Sequence, residues 1–317
     1  MLARKKLLGI LAGPWLAQAV YAVVKLGVPD LLAEGPATAS SLSAATGADQ
    51  GALTRLLRAL CSAGIFTQPT PGTFALTATG DLLRADVPGS VRLNALMQGD
   101  EVFRSFSEIM HTVLGKGPAF EKVYGYPFYD YLERNPEAAH TFTASMADQK
   151  PPEALATCDL SWASTIVDIG GGDGGLLLSL LEPHQLGVLV ELPSAMVHAR
   201  ERLAPLGDRV SLVEGSFFDP VPPDGDVYVL CRVLHNWSDE NAGLILQRIR
   251  EAIPPHGRLV VLEDFLTEQG GGMVDLLMLV TLEGRDRTSA EYQELLQRNG
   301  FKVVEERPGV LEAVRGS

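Results

Sequence analysis

The sequence predicts an α/β protein in two parts, a helical first part to about residue 150 and then a mostly parallel sheet that closes with an antiparallel hairpin. Three observations carry this. Before Lys150, apolar residues recur at three- and four-residue spacing. After it, short apolar runs alternate with longer amphipathic ones, the texture of strands covered by helices on both faces. At the end, FKVVEE and VLEAVR flank Arg307-Pro308-Gly309, so one of the last two strands must run antiparallel.

The opening MLARKKLLGILAGPWLAQAV has the basic start, apolar run and Ala17-Gln18-Ala19 triplet of a secretory signal. Its apolar character continues through AVVKLGVPDLL, as in a helix that stays in the folded protein. Gly13-Pro14 and Lys25 interrupt it before the roughly twenty residues a bilayer requires, and no membrane segment is expected. WLAQAVYAVVKLGVPDLL and ALTRLLRALCSAGIF follow with helical spacing. From Ala37 to Ser90 the pattern is helix, turn, helix and a short hairpin around Pro69 to Gly72, a winged-helix outline. Such modules present a basic helix to DNA. Here Arg55, Arg58 and Arg84 are balanced by Asp49, Asp81 and Asp86, which favours packing or dimerisation over a ligand-sensing DNA regulator.

Pro151-Pro152 ends the helical texture, giving expected domains of 1–150 and 151–317. The expected strands are TIVDI (165–169), LGVLVE (186–191), VSLVE (210–214), DVYVLCR (226–232) and GRLVVLED (257–264), then the terminal pair. NAGLILQRIREAI (241–253) is one of the intervening helices.

The chain has 317 residues, 46% of them hydrophobic, enough for a substantial core. A formal charge of −13 argues against nucleic acid, whose affinity comes from clustered Lys and Arg. Cys61, Cys158 and Cys231 lie far apart, so neither disulfides nor a metal site is expected, and a reducing, cytoplasmic compartment fits.

IVDIGGGDGG (166–175) contains GxGxxG at Gly170, Gly172 and Gly175, with Glu191 about twenty residues on. A dinucleotide and S-adenosylmethionine both use such a loop. Asp168 lies at the first strand's carboxyl end, two residues before the first glycine, where its charge would repel a pyrophosphate but favour an α-ammonium. Glu191 suits ribose hydroxyls in either case. The terminal hairpin makes the sheet mixed, unlike the parallel sheet of a dinucleotide domain. The balance favours the methyl donor, and a nicotinamide oxidoreductase is the competing reading.

Eight segments in order then give a resemblance: KLGVPDLLAEGPAT, LTRLLRALCSAGIF, PAFEKVYGYPFYDYLERNPE, VDIGGGDGG, VELPSA, EGSFFDPVP, RVLHNWSDE and DLLMLVTLEGRDRT. Together they resemble the small-molecule O-methyltransferases of plants and bacteria, including the caffeic acid, acetylserotonin and bacterial polyketide enzymes. The resemblance implies a class I methyltransferase fold with a Rossmann-like sheet, S-adenosylmethionine as cofactor, and a homodimer with interlocked N-terminal helical domains. It also implies an aromatic or polyketide acceptor held between the domains.

Carried over by position, the cofactor contacts fall on Gly170, Gly172 and Glu191, with Ser216 and Phe217 beside the adenine and Cys231 four residues before the motif histidine. Ser216 stands where Asp is common and Cys231 where a polar residue is common. The resemblance makes His235 the general base, oriented by Glu263 and Asp286, Asp286 being one methylene shorter than the usual Glu. Asn236 replaces a common Asp, and Glu283 a common Gly. Phe142, Met146, Met278 and Leu279 are the acceptor-lining candidates, although Phe142 and Met146 at i and i+4 also fit a plain core face. His111 and Trp237 receive no role. A histidine near 6.5 facing a phenol near 10 leaves a gap of about 3.5 units, about 5 kcal/mol, so a carboxylate must raise its basicity or proton transfer must accompany attack. A non-methylating reaction on the same fold, such as decarboxylation, hydroxylation or a pericyclic step, is the alternative reading.

Overall fold

A computed structural model describes residues 2–147, 153–267 and 272–316, and the chain divides into two compact units, 1–104 and 105–317. The Pro151-Pro152 interruption lies outside the described residues.

The first unit is built on helices Gly13–Lys25, Ala39–Thr46 and Gln50–Ser62. Thr38 and Asp49 cap the latter two, accepting from the Ser41 and Ala52 N–H groups. Leu53, Leu57 and Leu60 recur at helical spacing and are buried with Val23, Val28, Leu42, Phe66 and Phe74. The signal-like run therefore ends in a core helix, Val23 and Val24 being fully buried. The winged-helix outline is present. Its hairpin, β2 (Phe66–Thr70) and β3 (Thr73–Leu76), gains a two-residue edge, β1 (Ala37–Thr38), in the order β1-β3-β2. That edge was not read from the sequence. Among the described residues no single helix is long and apolar enough to cross a membrane, although the bent pair Leu2–Leu11 and Gly13–Lys25 passes on length and composition.

The second unit holds a seven-stranded sheet of β4 (Thr165–Ile169), β5 (Leu186–Glu191), β6 (Val210–Glu214), β7 (Val227–Cys231), β8 (Arg258–Leu262), β9 (Phe301–Arg307) and β10 (Val310–Arg315). The order is β6-β5-β4-β7-β8-β10-β9, parallel from β6 to β8, with β10 antiparallel to both β8 and β9. Each strand lies within two residues of its expected run, the largest difference being β8, which ends at Leu262 rather than Asp264. Val227 to Leu230 are fully buried, as a central strand covered on both faces requires. Helix Asp239–Ala252, capped by Ser238, packs Ala242, Ile245, Leu246 and Ile249 into one of the two cores flanking the sheet.

Four helices that precede the texture change, Ile109–Val113, Ala119–Tyr124, Phe128–Arg134 and Pro136–Ala147, belong to this second unit. They pack on helices Pro193–Leu203 and Met273–Thr281. The compact division thus falls before residue 105 rather than at 150, because packing partners and not helical texture define a unit. Strand order reverses between β4 and β7, which are adjacent although β5 and β6 intervene in sequence. Ligands bind at such a switch point, beyond the strands' carboxyl ends.

Candidate active site

Asp168, the residue before the end of β4, is fully buried with neither carboxylate oxygen hydrogen-bonded. Burial, then the charges of Glu191 and Asp173, pushes its carboxyl up to about 7. The following loop lies on it so closely that a Cβ on Gly171 would meet Asp168 Oδ2 at 2.2 Å, so only glycine fits. Gly170 (φ 69°) lies under the Phe217 ring, 3.2 Å from where its Cβ would be. Glu191, at the end of β5, holds the loop from the other side: Oε2 accepts from Gly172 N–H (2.8 Å) and Oε1 from Leu192 N–H (2.7 Å). Burial raises its carboxyl and these two donors pull it back. Ser216 accepts from Phe218 N–H at 3.2 Å, an ordinary turn bond. Cys231 ends β7, and burial first, then Asp168, pushes its thiol up to about 12.

His235 sits on the short turn Leu234–Asn236 after β7. Its Nδ1 faces Asp286 Oδ1 at 3.5 Å and Glu263 Oε2 at 3.7 Å. Glu263 is buried, and its Oε1 accepts from the N–H groups of Leu234 (2.9 Å) and His235 (3.3 Å). One oxygen thus fixes the turn's backbone while the other, with no hydrogen bond, faces the imidazole. Burial alone would lower the imidazole's pKa, but the charge of Glu263 and the hydrogen bond and charge of Asp286 outweigh it and the net shift is upward from 6.5. Asp286 N–H in turn donates to Asp275 Oδ1 at 2.9 Å.

Arg287, to which the sequence reading gave no role, fastens the two loops together. Fully buried, it donates to the Leu234 carbonyl (2.9 Å), the Trp237 carbonyl (2.8 Å) and Asp239 Oδ1 (2.7 Å). The loops approach so closely that a Cβ on Gly284 would lie 2.0 Å from the His235 carbonyl oxygen. Glu283 turns away, accepting from Asn241 Nδ2. The close approach is therefore made by the next residue, and the glycine-to-glutamate difference at 283 leaves it intact.

Trp237, also without an expected role, stacks on Tyr129 (centroids 5.6 Å apart, 22°) and meets Phe217 edge-on at 5.8 Å. Phe142 packs against Phe128 at 5.1 Å and Met146 is half-buried one turn on. Met278 is buried, whereas Leu279 is 44% exposed and lines a cavity of about 320 Å³ with Asp275, Arg285 and Asp286. His111 is 111 residues into the chain on helix Ile109–Val113 and joins none of these groups.

A family model described as an O-methyltransferase domain matches residues 106–302, and one described as an O-methyltransferase dimerisation domain matches 8–86. A phenazine O-methyltransferase of Lysobacter antibioticus is 39% identical over 94% of this chain and 90% of its own. An 8-amino-8-demethylriboflavin N,N-dimethyltransferase of Streptomyces davaonensis is 38% identical over 90% of this chain and 86% of its own. Among solved structures, an O-methyltransferase from neocarzinostatin biosynthesis, in complex with S-adenosylmethionine and 2-hydroxy-5-methyl naphthoic acid, superposes with a TM-score of 0.87. It is 32% identical and covers 96% of both chains. The matched models cover both units, and the chain belongs to the O-methyltransferase family, with that family's class I fold and S-adenosylmethionine as its cofactor.

Proposed function

We propose that the chain transfers a methyl group to a phenolic or enolic oxygen of a small aromatic or polyketide natural product, with His235 as general base. The observation that carries this is the imidazole held between Glu263 and Asp286, both on its Nδ1 side.

The residues at the strand ends fit the cofactor. Asp168 presents a buried carboxylate lacking a donor, which suits an ammonium, and Gly171 leaves the loop backbone open to close approach. Gly170 and Gly172 hold that loop in shape, Glu191 keeps lone pairs for ribose hydroxyls, Ser216 and Phe217 would flank the adenine, and Cys231 would help hold the cofactor. When bound, S-adenosylmethionine supplies an electrophilic methyl group on a sulfonium sulfur.

His235 Nδ1–H donates toward the carboxylates, leaving Nε2 as the basic nitrogen. As the acceptor oxygen forms its bond to carbon and the carbon–sulfur bond breaks onto sulfur, the acceptor proton moves to Nε2. Glu263 and Asp286 stabilise the imidazolium until it loses that proton to solvent. Phe142, Met146, Met278 and Leu279 form the acceptor wall in this reading, and the family's dimerisation segment supports a homodimer.

The dimethyltransferase relative favours a second reading, transfer to an aromatic amine. An amine attacks with a lone pair it already has, so it needs no base beforehand, and the buried carboxylate pair supports oxygen instead. Labelled S-adenosylmethionine with matched phenol, aminoarene and carboxylate acceptors distinguishes them. Label on the phenol alone is expected, and label on the amine alone would overturn the oxygen assignment.

A further inference from the structure

We propose that His140 and His198 form a two-histidine chelate for a divalent transition ion of the Zn²⁺, Ni²⁺ or Cu²⁺ class, outside the methyl-transfer site. His140 Nδ1 and His198 Nε2 lie 3.2 Å apart, with ring centroids 5.0 Å apart and planes at 36°. Ligand bonds of about 2.0–2.1 Å spanning that gap meet the metal at about 100°, between square-planar and tetrahedral angles. In the metal-free pair one nitrogen's lone pair faces the other's proton. Each ring must swing by about 40° to aim both lone pairs at one point beside the N···N line. His140 is exposed and His198 half-buried, so solvent beside the pair leaves room for that swing.

Both rings stand on helix backbone, Pro136–Ala147 and Pro193–Leu203, so the donor spacing is set by helix packing rather than by a loop. Paired imidazoles select borderline first-row ions over Mg²⁺ or Ca²⁺, which need oxygen ligands. Among the described residues no group of three or more His, Cys, Asp or Glu is placed to hold a metal. Water therefore completes the shell, and the ion exchanges readily.

A bound ion would tie the helix carrying Phe142 and Met146 to the helix that begins two residues after Glu191. If the acceptor wall is as proposed above, this clamp slows acceptor entry and product release.

The test uses the full-length chain stripped with a chelator and titrated with NiCl₂ by calorimetry, with Cu²⁺ followed by electron paramagnetic resonance. One ion per chain is expected at this pair, with two-imidazole hyperfine structure and a nickel-dependent rise in Tm. His140→Gln and His198→Gln should each weaken nickel binding at least tenfold while matching wild-type Tm in chelator. Variants that bind nickel as tightly as wild type, or a wild type that binds none, would overturn the site. These readouts use no acceptor, so they stand apart from the methyl-transfer assignment. Turnover that bound nickel leaves unchanged would overturn the clamp.

Discussion

At the scale of single residues, the site's charges make two predictions. His235 acts as a base only when neutral, and its pKa is raised above 6.5 by its carboxylate partners against the pull of burial. Activity should therefore rise with pH through a limb above 6.5, and Asp286→Asn, which removes one raising charge, should move that limb to lower pH in a kcat–pH profile. Asp168 is shifted upward as well, and there the consequence is for folding. Its carboxyl stands at about 7 in the fold against about 3.9 unfolded, so the ligand-free fold holds the extra proton. That contribution is complete below about pH 4 and is lost as pH rises to about 7. Asp168→Asn should melt higher than wild type at pH 8 without cofactor, flatten the pH dependence of Tm, and bind S-adenosylhomocysteine more weakly. That His235, Glu263 and Asp286 would meet was legible because they sit inside recognisable motifs. Arg287 was not, although it lies in the same GRDRT run. An arginine in a polar loop reads as solvated, and its burial depends on Asp239 and the Leu234 and Trp237 carbonyls, about fifty residues away.

At the scale of elements, the strands were legible to within two residues because a buried parallel strand needs an uninterrupted apolar run, as TIVDI and DVYVLCR have. The helices between 105 and 147 were legible as helices but not as part of the second unit. Helical spacing marks a face to be buried and leaves its partner unstated. The two loops that meet at the site were least legible, because their contact is a backbone approach through Gly284 and a buried guanidinium. Their junction gives the third prediction. Arg287→Met should leave the Trp237 carbonyl without a donor, at about 1–3 kcal/mol for a buried acceptor, and the Leu234 carbonyl with the Trp237 N–H alone, at 3.2 Å. Urea denaturation should show a loss of about 2 kcal/mol or more, with turnover falling as the His235 turn loosens.

At the scale of the whole molecule, two observations limit the partners: a net charge of −13, and a first unit whose sequence matches a dimerisation segment. The chain should sediment at twice its own mass, with a Tm that rises with protein concentration. A monomer at micromolar concentration would contradict the dimer. The mixed sheet was legible through the hairpin at Pro308-Gly309, and the same hairpin separates this fold from a wholly parallel dinucleotide domain.

In the proposed reaction a carboxylate-backed imidazole takes the acceptor's proton. This role is tested most directly by comparing His235→Gln with wild type at saturating methyl donor and a phenolic acceptor across pH, with cofactor affinity measured alongside. A fall in kcat of about 10²-fold or more is expected, with cofactor Kd unchanged and the limb above 6.5 lost. A variant that keeps the wild-type rate and pH profile would contradict that role.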